Sequence, residues 1–230
     1  LCAARMSRVT TAFAAALALI MPIGRQLLVG LTPAIGIGAG LLTTQVAYAQ
    51  NANDLFNSGL DKAVSGNLKG AIADWTKAIE IDPKYALAYY NRGLAKRKLD
   101  DFKGAIADYT KAIQYDPGYA DSYINRGITK SILGDYQGAI ADYAKAIEID
   151  PNDPVSHFNS GISKGKLKDY KGAIDDYIKA IKLSPSYYMA YTNRGIILEI
   201  IGDLKGACRD WKKAVDLGDT KPIEWVRNQC

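Results

Sequence analysis

Residues 120–153 read ADSYINRGITKSILGDYQGAIADYAKAIEIDPND, and this 34-residue pattern decides the fold. Its first part favours a helix that stops at Gly134, because glycine readily adopts the left-handed conformation that ends a helix. Asp135 then offers a carboxylate to the free N–H groups at the start of a second helix. Apolar residues recur at helical spacing through Ala146, and Pro151 ends the pattern. The stretch therefore predicts a helical hairpin.

The same pattern occurs five times in a row without a gap. The units are residues 52–85, 86–119, 120–153, 154–187 and 188–221. The first helix of each unit carries a glycine: Gly59, Gly93, Gly127, Gly161 and Gly195. The second helix carries a large aromatic residue: Trp75, Tyr109, Tyr143, Tyr177 and Trp211. A fixed period of this kind predicts stacked hairpins, because one hairpin cannot bury its apolar face alone.

The period, with glycine, alanine, aromatic, alanine and proline at these offsets, resembles the tetratricopeptide repeat. The resemblance covers residues 52–221 and implies an all-α fold, a right-handed superhelical solenoid of five hairpins. In such a solenoid the first helices line a concave groove. Residues 222–230 resemble the start of another first helix, with Trp225 at the position of Tyr123, and we expect them to form a capping helix.

The resemblance also selects candidates for ligand contact on the first helices. Peptide-binding members of the family use an asparagine that recurs here as Asn57, Asn91, Asn125, Asn159 and Asn193. An amide offers both a donor and an acceptor, which suits the backbone of an extended peptide. Further groove candidates are Phe56, Tyr90, Ile124, Arg97 and Lys98. The alternative is that the asparagines bond to neighbouring repeats and touch no ligand.

Residues 1–49 have the organisation of an export signal. They contain two apolar stretches, no acidic residue and the sequence Ala47-Tyr48-Ala49, an A-x-A cleavage pattern. We expect cleavage before Gln50 and export to a periplasm or a thylakoid-like lumen, as in exported bacterial and cyanobacterial proteins that this segment resembles. The alternative is a retained membrane anchor at residues 27–46, near the roughly 17–25 residues that a spanning helix needs.

Two cysteines lie outside this leader. Cys208 lies early in the last second helix and Cys230 at the end of the predicted capping helix. If the two helices run antiparallel, an oxidising compartment would allow a disulfide between them. Two independent thiols are the alternative.

An aspartate recurs on the second helices three residues before a lysine. The aspartates are Asp74, Asp108, Asp142, Asp176 and Asp210. Residues three apart are neighbours on a helix surface, so we expect exposed ion pairs that contribute only tenths of a kcal/mol. This pattern does not indicate a catalytic carboxylate pair.

The remaining features favour a protein partner over other ligand classes. The whole chain has a formal charge of +5. Outside residues 1–49 there are 26 basic and 24 acidic residues, so this part is nearly neutral. Such a charge balance gives no electrostatic reason to bind nucleic acid. The single histidine, His157, has no metal-ligand or nucleophile partner by motif, so we expect it to pack between helices.

We therefore expect a scaffold without enzymatic activity, metal, cofactor or small-molecule substrate. It would bind a peptide or helix of another protein in its groove, for example as an assembly factor for a larger complex, and touch a membrane only through an uncleaved leader. The alternative function is a membrane-tethered structural spacer with no groove ligand.

Overall fold

The computed structural model describes residues 39–230, with side chains described from residue 51 onward. All regular structure in this part of the chain is helical, which confirms the all-α fold class. The helices are α1 Ala39–Val64, α2 Leu68–Ile81, α3 Ala86–Lys98, α4 Phe102–Tyr115, α5 Ala120–Ile132, α6 Tyr136–Ile149, α7 Pro154–Lys166, α8 Tyr170–Leu183, α9 Tyr188–Ile200, α10 Leu204–Asp216 and α11 Ile223–Gln229.

The first of two compact units ends at Ala88 and is built on the hairpin of α1 and α2. Trp75 of α2 is fully buried, and its indole N–H donates to the Phe56 carbonyl of α1 at 3.1 Å. The Phe56 ring packs against Tyr85 with ring centroids 5.0 Å apart. This unit therefore has its own aromatic core.

Helix α1 is longer than the repeat pattern predicts. It begins at Ala39 and continues through the predicted cleavage site at residues 47–49. Within the described part of the chain, every helix is too short or too polar to cross a membrane. Most of the alternative anchor at 27–46 lies outside the described residues, so cleavage and anchoring both stay predictions.

The second unit runs from Tyr89 to Cys230 and contains successive antiparallel hairpins. Helix α5 pairs with α6, α7 with α8 and α9 with α10, while α6 packs on α7 and α8 on α9. Helix α11 packs on α10, where the Trp225 ring lies 5.2 Å from the Trp211 ring. The hairpin arrangement follows the repeat pattern, and the hand of the superhelix stays a prediction.

Glycine in each first helix makes room for the aromatic residue of the same repeat. A Cβ atom built on Gly127 would lie 2.7 Å from Cε1 of Tyr143, a ring that is 1% exposed. The alanines of the second helices are buried beside these rings, among them Ala105, Ala112, Ala139, Ala146, Ala173 and Ala180. Close contact between the two helices of a hairpin thus requires small residues at these positions.

The predicted helix caps are present. The Asp135 carboxylate accepts a hydrogen bond from the Gly138 N–H at 2.9 Å, and Asn67, Asp101, Asp169 and Asp203 cap their helices in the same way. Gly134 has a φ of 85°, as expected for a residue that ends a helix. Asp100 and Lys168 adopt the same left-handed conformation without being glycine, with φ of 61° and 64°.

Candidate functional site

The first helices of the second unit, α3, α5, α7 and α9, carry most of the predicted groove residues. Two of the apolar candidates lie in the interior. Tyr90 is 3% exposed and meets the Tyr119 ring edge-on at 4.8 Å, and Ile124 is 8% exposed. In the first unit, Phe56 is equally buried against Tyr85. These three side chains support the helices from within and do not form an accessible surface.

Asn125 is buried and links two repeats. Its Nδ2 donates to the Tyr90 hydroxyl at 3.1 Å and to the Asp121 carbonyl at 2.9 Å. Its Oδ1 accepts from Nη2 of Arg97 at 3.4 Å. The amide therefore joins α5 to α3, which is the alternative role that the sequence left open for the asparagines. Asn91 is likewise buried, whereas Asn57 is exposed on α1.

Asn159 and Asn193 are half-buried and differ from Asn125 in the hydrogen bonds of their side-chain amides. Each Nδ2 donates to the carbonyl four residues earlier, at 2.9 Å to Val155 and 2.8 Å to Met189. Among residues 51–230, no donor lies within hydrogen-bond distance of either Oδ1. The helix backbone thus fixes both amides and leaves an acceptor oxygen available on each.

The charged groove candidates differ in their exposure to solvent. Arg97 is half-buried and engaged with Asn125, while Lys98 at the end of α3 is exposed. Lys166, at the end of α7, is exposed as well. Both lysines lie at the carboxyl ends of first helices, where a positive charge is favourable to the helix dipole. The carboxyl ends of α3 and α7 are consequently basic, whereas α9 carries Glu199 near its end.

The expectation of exposed ion pairs along the second helices is wrong. The five aspartates are 3–6% exposed and face the first helix of their own hairpin. Asp142, for example, is bound by Arg126 at 2.7 Å and Lys130 at 2.8 Å, both on α5. The basic partners precede the aspartates by 16 and 12 residues, and this recurring spacing was the signal in the sequence that would have identified them.

Family models provide the first comparison with known proteins. A model described as TPR repeat matches residues 63–100, and models described as tetratricopeptide repeat match residues 86–119, 120–153 and 155–187. Together these matches cover more than half of the chain. The chain belongs to the tetratricopeptide repeat family. Arrays of this family are in general non-enzymatic scaffolds for protein interaction.

Solved structures share the fold of this tetratricopeptide array. MamA is 24% identical, with 69% of this chain and 93% of MamA covered and a TM-score of 0.67. YrrB, described as a TPR protein with an unusual peptide-binding site, is 21% identical, with 82% and 93% covered and a TM-score of 0.66. PilF of Pseudomonas aeruginosa is 18% identical, with 80% and 88% covered and a TM-score of 0.68. No curated protein sequence matches the chain significantly.

The fourth tetratricopeptide repeat replaces the usual tyrosine and arginine by His157 and Ser160. The Ser160 hydroxyl donates to Asp176 at 2.6 Å, Lys164 lies 2.7 Å from the same oxygen, and Nδ1 of His157 lies 3.9 Å from the other. Burial alone would raise the pKa of Asp176, but the polar contacts of these three residues outweigh it and lower that pKa. The hydroxyl faces the carboxylate and not the imidazole, so the cluster is no activated nucleophile.

The last repeat brings the two cysteines outside the leader together. Cys208 on α10 and Cys230 after α11 have Cα atoms 5.6 Å apart, and their sulfurs are in bonding contact. This Cα separation is within the usual range for a disulfide. In the described part of the chain, no cluster of three or more histidine, cysteine, aspartate or glutamate residues is arranged to hold a metal ion.

Proposed function

We propose that this protein is a non-enzymatic scaffold that binds an extended segment of another protein along the surface of α5, α7 and α9. The observation that carries the proposal is the pair of amides at Asn159 and Asn193, whose orientation is fixed and whose Oδ1 atoms lack a partner within residues 51–230. Each can accept a hydrogen bond from a peptide N–H.

The surroundings of these amides support a peptide ligand. Ile128, Ile162 and Ile196 lie at equivalent positions of α5, α7 and α9 and are half-buried, so they offer apolar contact beside the amides. Side chains that are already held in place lose little conformational freedom on binding, which favours affinity. The fold relative YrrB is described by its peptide-binding site.

We propose more specifically that the protein acts as an assembly factor for a larger complex. A scaffold that holds one extended segment leaves the rest of its partner free to join other subunits.

A crosslinking pull-down from the native compartment tests the proposal. The wild type is compared with Asn159→Ala plus Asn193→Ala and with the control Gln137→Ala, an exposed amide on α6. We expect the paired variant to lose the partners that the control keeps. Identical partners and yields from all three proteins would overturn the groove assignment and would favour a structural spacer.

We also propose that the protein works in an oxidising compartment after export. The A-x-A pattern at residues 47–49 and the 5.6 Å separation of the Cys208 and Cys230 Cα atoms support this location. Intact mass and thiol titration of protein from its native host test both parts. A mature end at Gln50 and no reactive thiol without reductant are expected. Two reactive thiols would overturn the disulfide, and retention of residues 1–49 would favour the membrane-tethered alternative.

A further inference from the structure

A cavity of about 180 Å³ opens on the proposed binding surface between α5 and α7. Ile128, Ile132 and Ile162 provide its apolar walls, and Tyr136 and the buried Tyr143 also line it. Small-molecule sites usually measure about 300–1,000 Å³. A cavity of this smaller size suits one apolar side chain of a bound peptide.

Polar groups lie at both ends of the cavity along α7. Asn159, Ile162 and Lys166 occupy successive turns of one helix face, and all three line the cavity. The Asn159 Oδ1 is the available acceptor described above. Lys166 is exposed, and none of the residues that the structure describes forms an ion pair with it. An acceptor therefore lies at one end and an unpaired positive charge at the other.

We infer that this cavity binds an extended peptide through an aliphatic or aromatic anchor side chain, with an acidic residue two positions away that pairs with Lys166. The inference rests on the proposed function and names the ligand chemistry for the same site. Charge complementarity selects the acidic residue, because an exposed lysine beside an apolar pocket favours a carboxylate over a cation.

Helix and strand geometry gives the spacing of two residues. Ile162 and Lys166 are one turn apart, about 6 Å along the helix axis. Two residues of an extended chain cover about 6.6 Å, and side chains two apart point to the same side. For a peptide segment that passes the cavity parallel to the α7 axis, an anchor seated beside Ile162 therefore brings the side chain two positions away towards Lys166.

A display library of random peptides, selected on the full chain, tests the inference. We expect enrichment of peptides with an apolar residue two positions from aspartate or glutamate. The best peptide is then titrated by fluorescence anisotropy against Lys166→Glu and Ile132→Asp. The matched controls are Lys179→Glu and Ile178→Asp, the same changes at exposed positions of α8. Circular dichroism verifies that each variant is folded.

The outcomes distinguish this inference from the proposed function. We expect Lys166→Glu to weaken binding by about tenfold or more, because two negative charges then face each other, and to be rescued by lysine at the acidic position of the peptide. Ile132→Asp should weaken binding similarly, and both controls should bind normally. The inference alone would be overturned if the enriched peptides bind Lys166→Glu and Ile132→Asp normally but lose affinity for Asn159→Ala plus Asn193→Ala. A library without any enriched peptide would overturn both.

Discussion

The guanidinium of Arg126 binds the buried carboxylate of Asp142 with two hydrogen bonds, 2.9 Å from Nε and 2.7 Å from Nη2. Lys130, one turn further along α5, binds the same carboxylate at 2.8 Å. Because Arg126 and Lys130 lie on α5 and Asp142 on α6, this contact fixes the register of the two helices. The Arg126 guanidinium also lies over the Tyr123 ring, 5.7 Å from its centroid.

Removal of this carboxylate should destabilise the protein strongly. Asp142→Ala leaves Arg126 and Lys130 without their counter-charge next to the core, so we expect the free energy of unfolding to fall by roughly 3 kcal/mol. Urea unfolding followed by circular dichroism measures the change.

The matched control is Glu148→Gln on the same helix. Glu148 pairs with Lys145 at 2.7 Å, but both side chains are about 60% exposed. Loss of that pair should leave the free energy of unfolding almost unchanged, because water screens exposed charges. Equal losses in the two variants would contradict the distinction between buried and exposed pairs.

Two helical glycines should respond differently to alanine. Gly127→Ala places a Cβ 2.7 Å from the Tyr143 ring, and overpacking of about 1–3 kcal/mol exceeds the gain of about 1 kcal/mol in helix propensity. At Gly165 the nearest atom is the flexible end of Ile197, at 3.3 Å. We expect a lower melting temperature for Gly127→Ala and an equal or higher one for Gly165→Ala. The reverse order would show that the ring does not set the glycine requirement.

Lys168→Gly should stabilise the protein. Lys168, two residues after the end of α7, has a φ of 64°, a conformation that costs an L-residue roughly 1 kcal/mol more than glycine. We expect an increase of about that size in the free energy of unfolding, measured in urea. Gly134→Lys, at the equivalent turn with a φ of 85°, should give a decrease. Two changes of the same sign would refute the conformational explanation.

Acid should weaken the fourth repeat through Asp176. Its pKa is lowered in the folded protein, so the unfolded chain binds more protons as pH falls and stability decreases with it. This contribution is complete above the unfolded pKa of about 3.9 and is lost as pH falls through the folded pKa. Asp176→Asn should cost most near pH 7, with its unfolding curve approaching that of the wild type below about pH 4. A constant difference across this range would contradict the assignment.

The helical hairpins of residues 52–221 and their caps could be predicted from the amino-acid sequence alone. Helix ends depend on local chemistry, so Gly134 and Asp135 identify a turn without knowledge of the rest of the chain. The packing of the glycines against the aromatic residues was also predictable. Small and large residues that recur with a constant period indicate repeated hairpins that pack in the same way.

The accessibility of the polar residues depends on contacts that are present only in the folded protein. The five asparagines occupy the same position in each repeat. Asn125 is nevertheless buried by contacts with α3, whereas the Oδ1 of Asn159 is available as an acceptor. Likewise, the aspartates have lysines nearby on their own helix but bind residues of the preceding one. Local spacing does not reveal which way a side chain faces, because burial depends on contacts between helices that are distant in sequence.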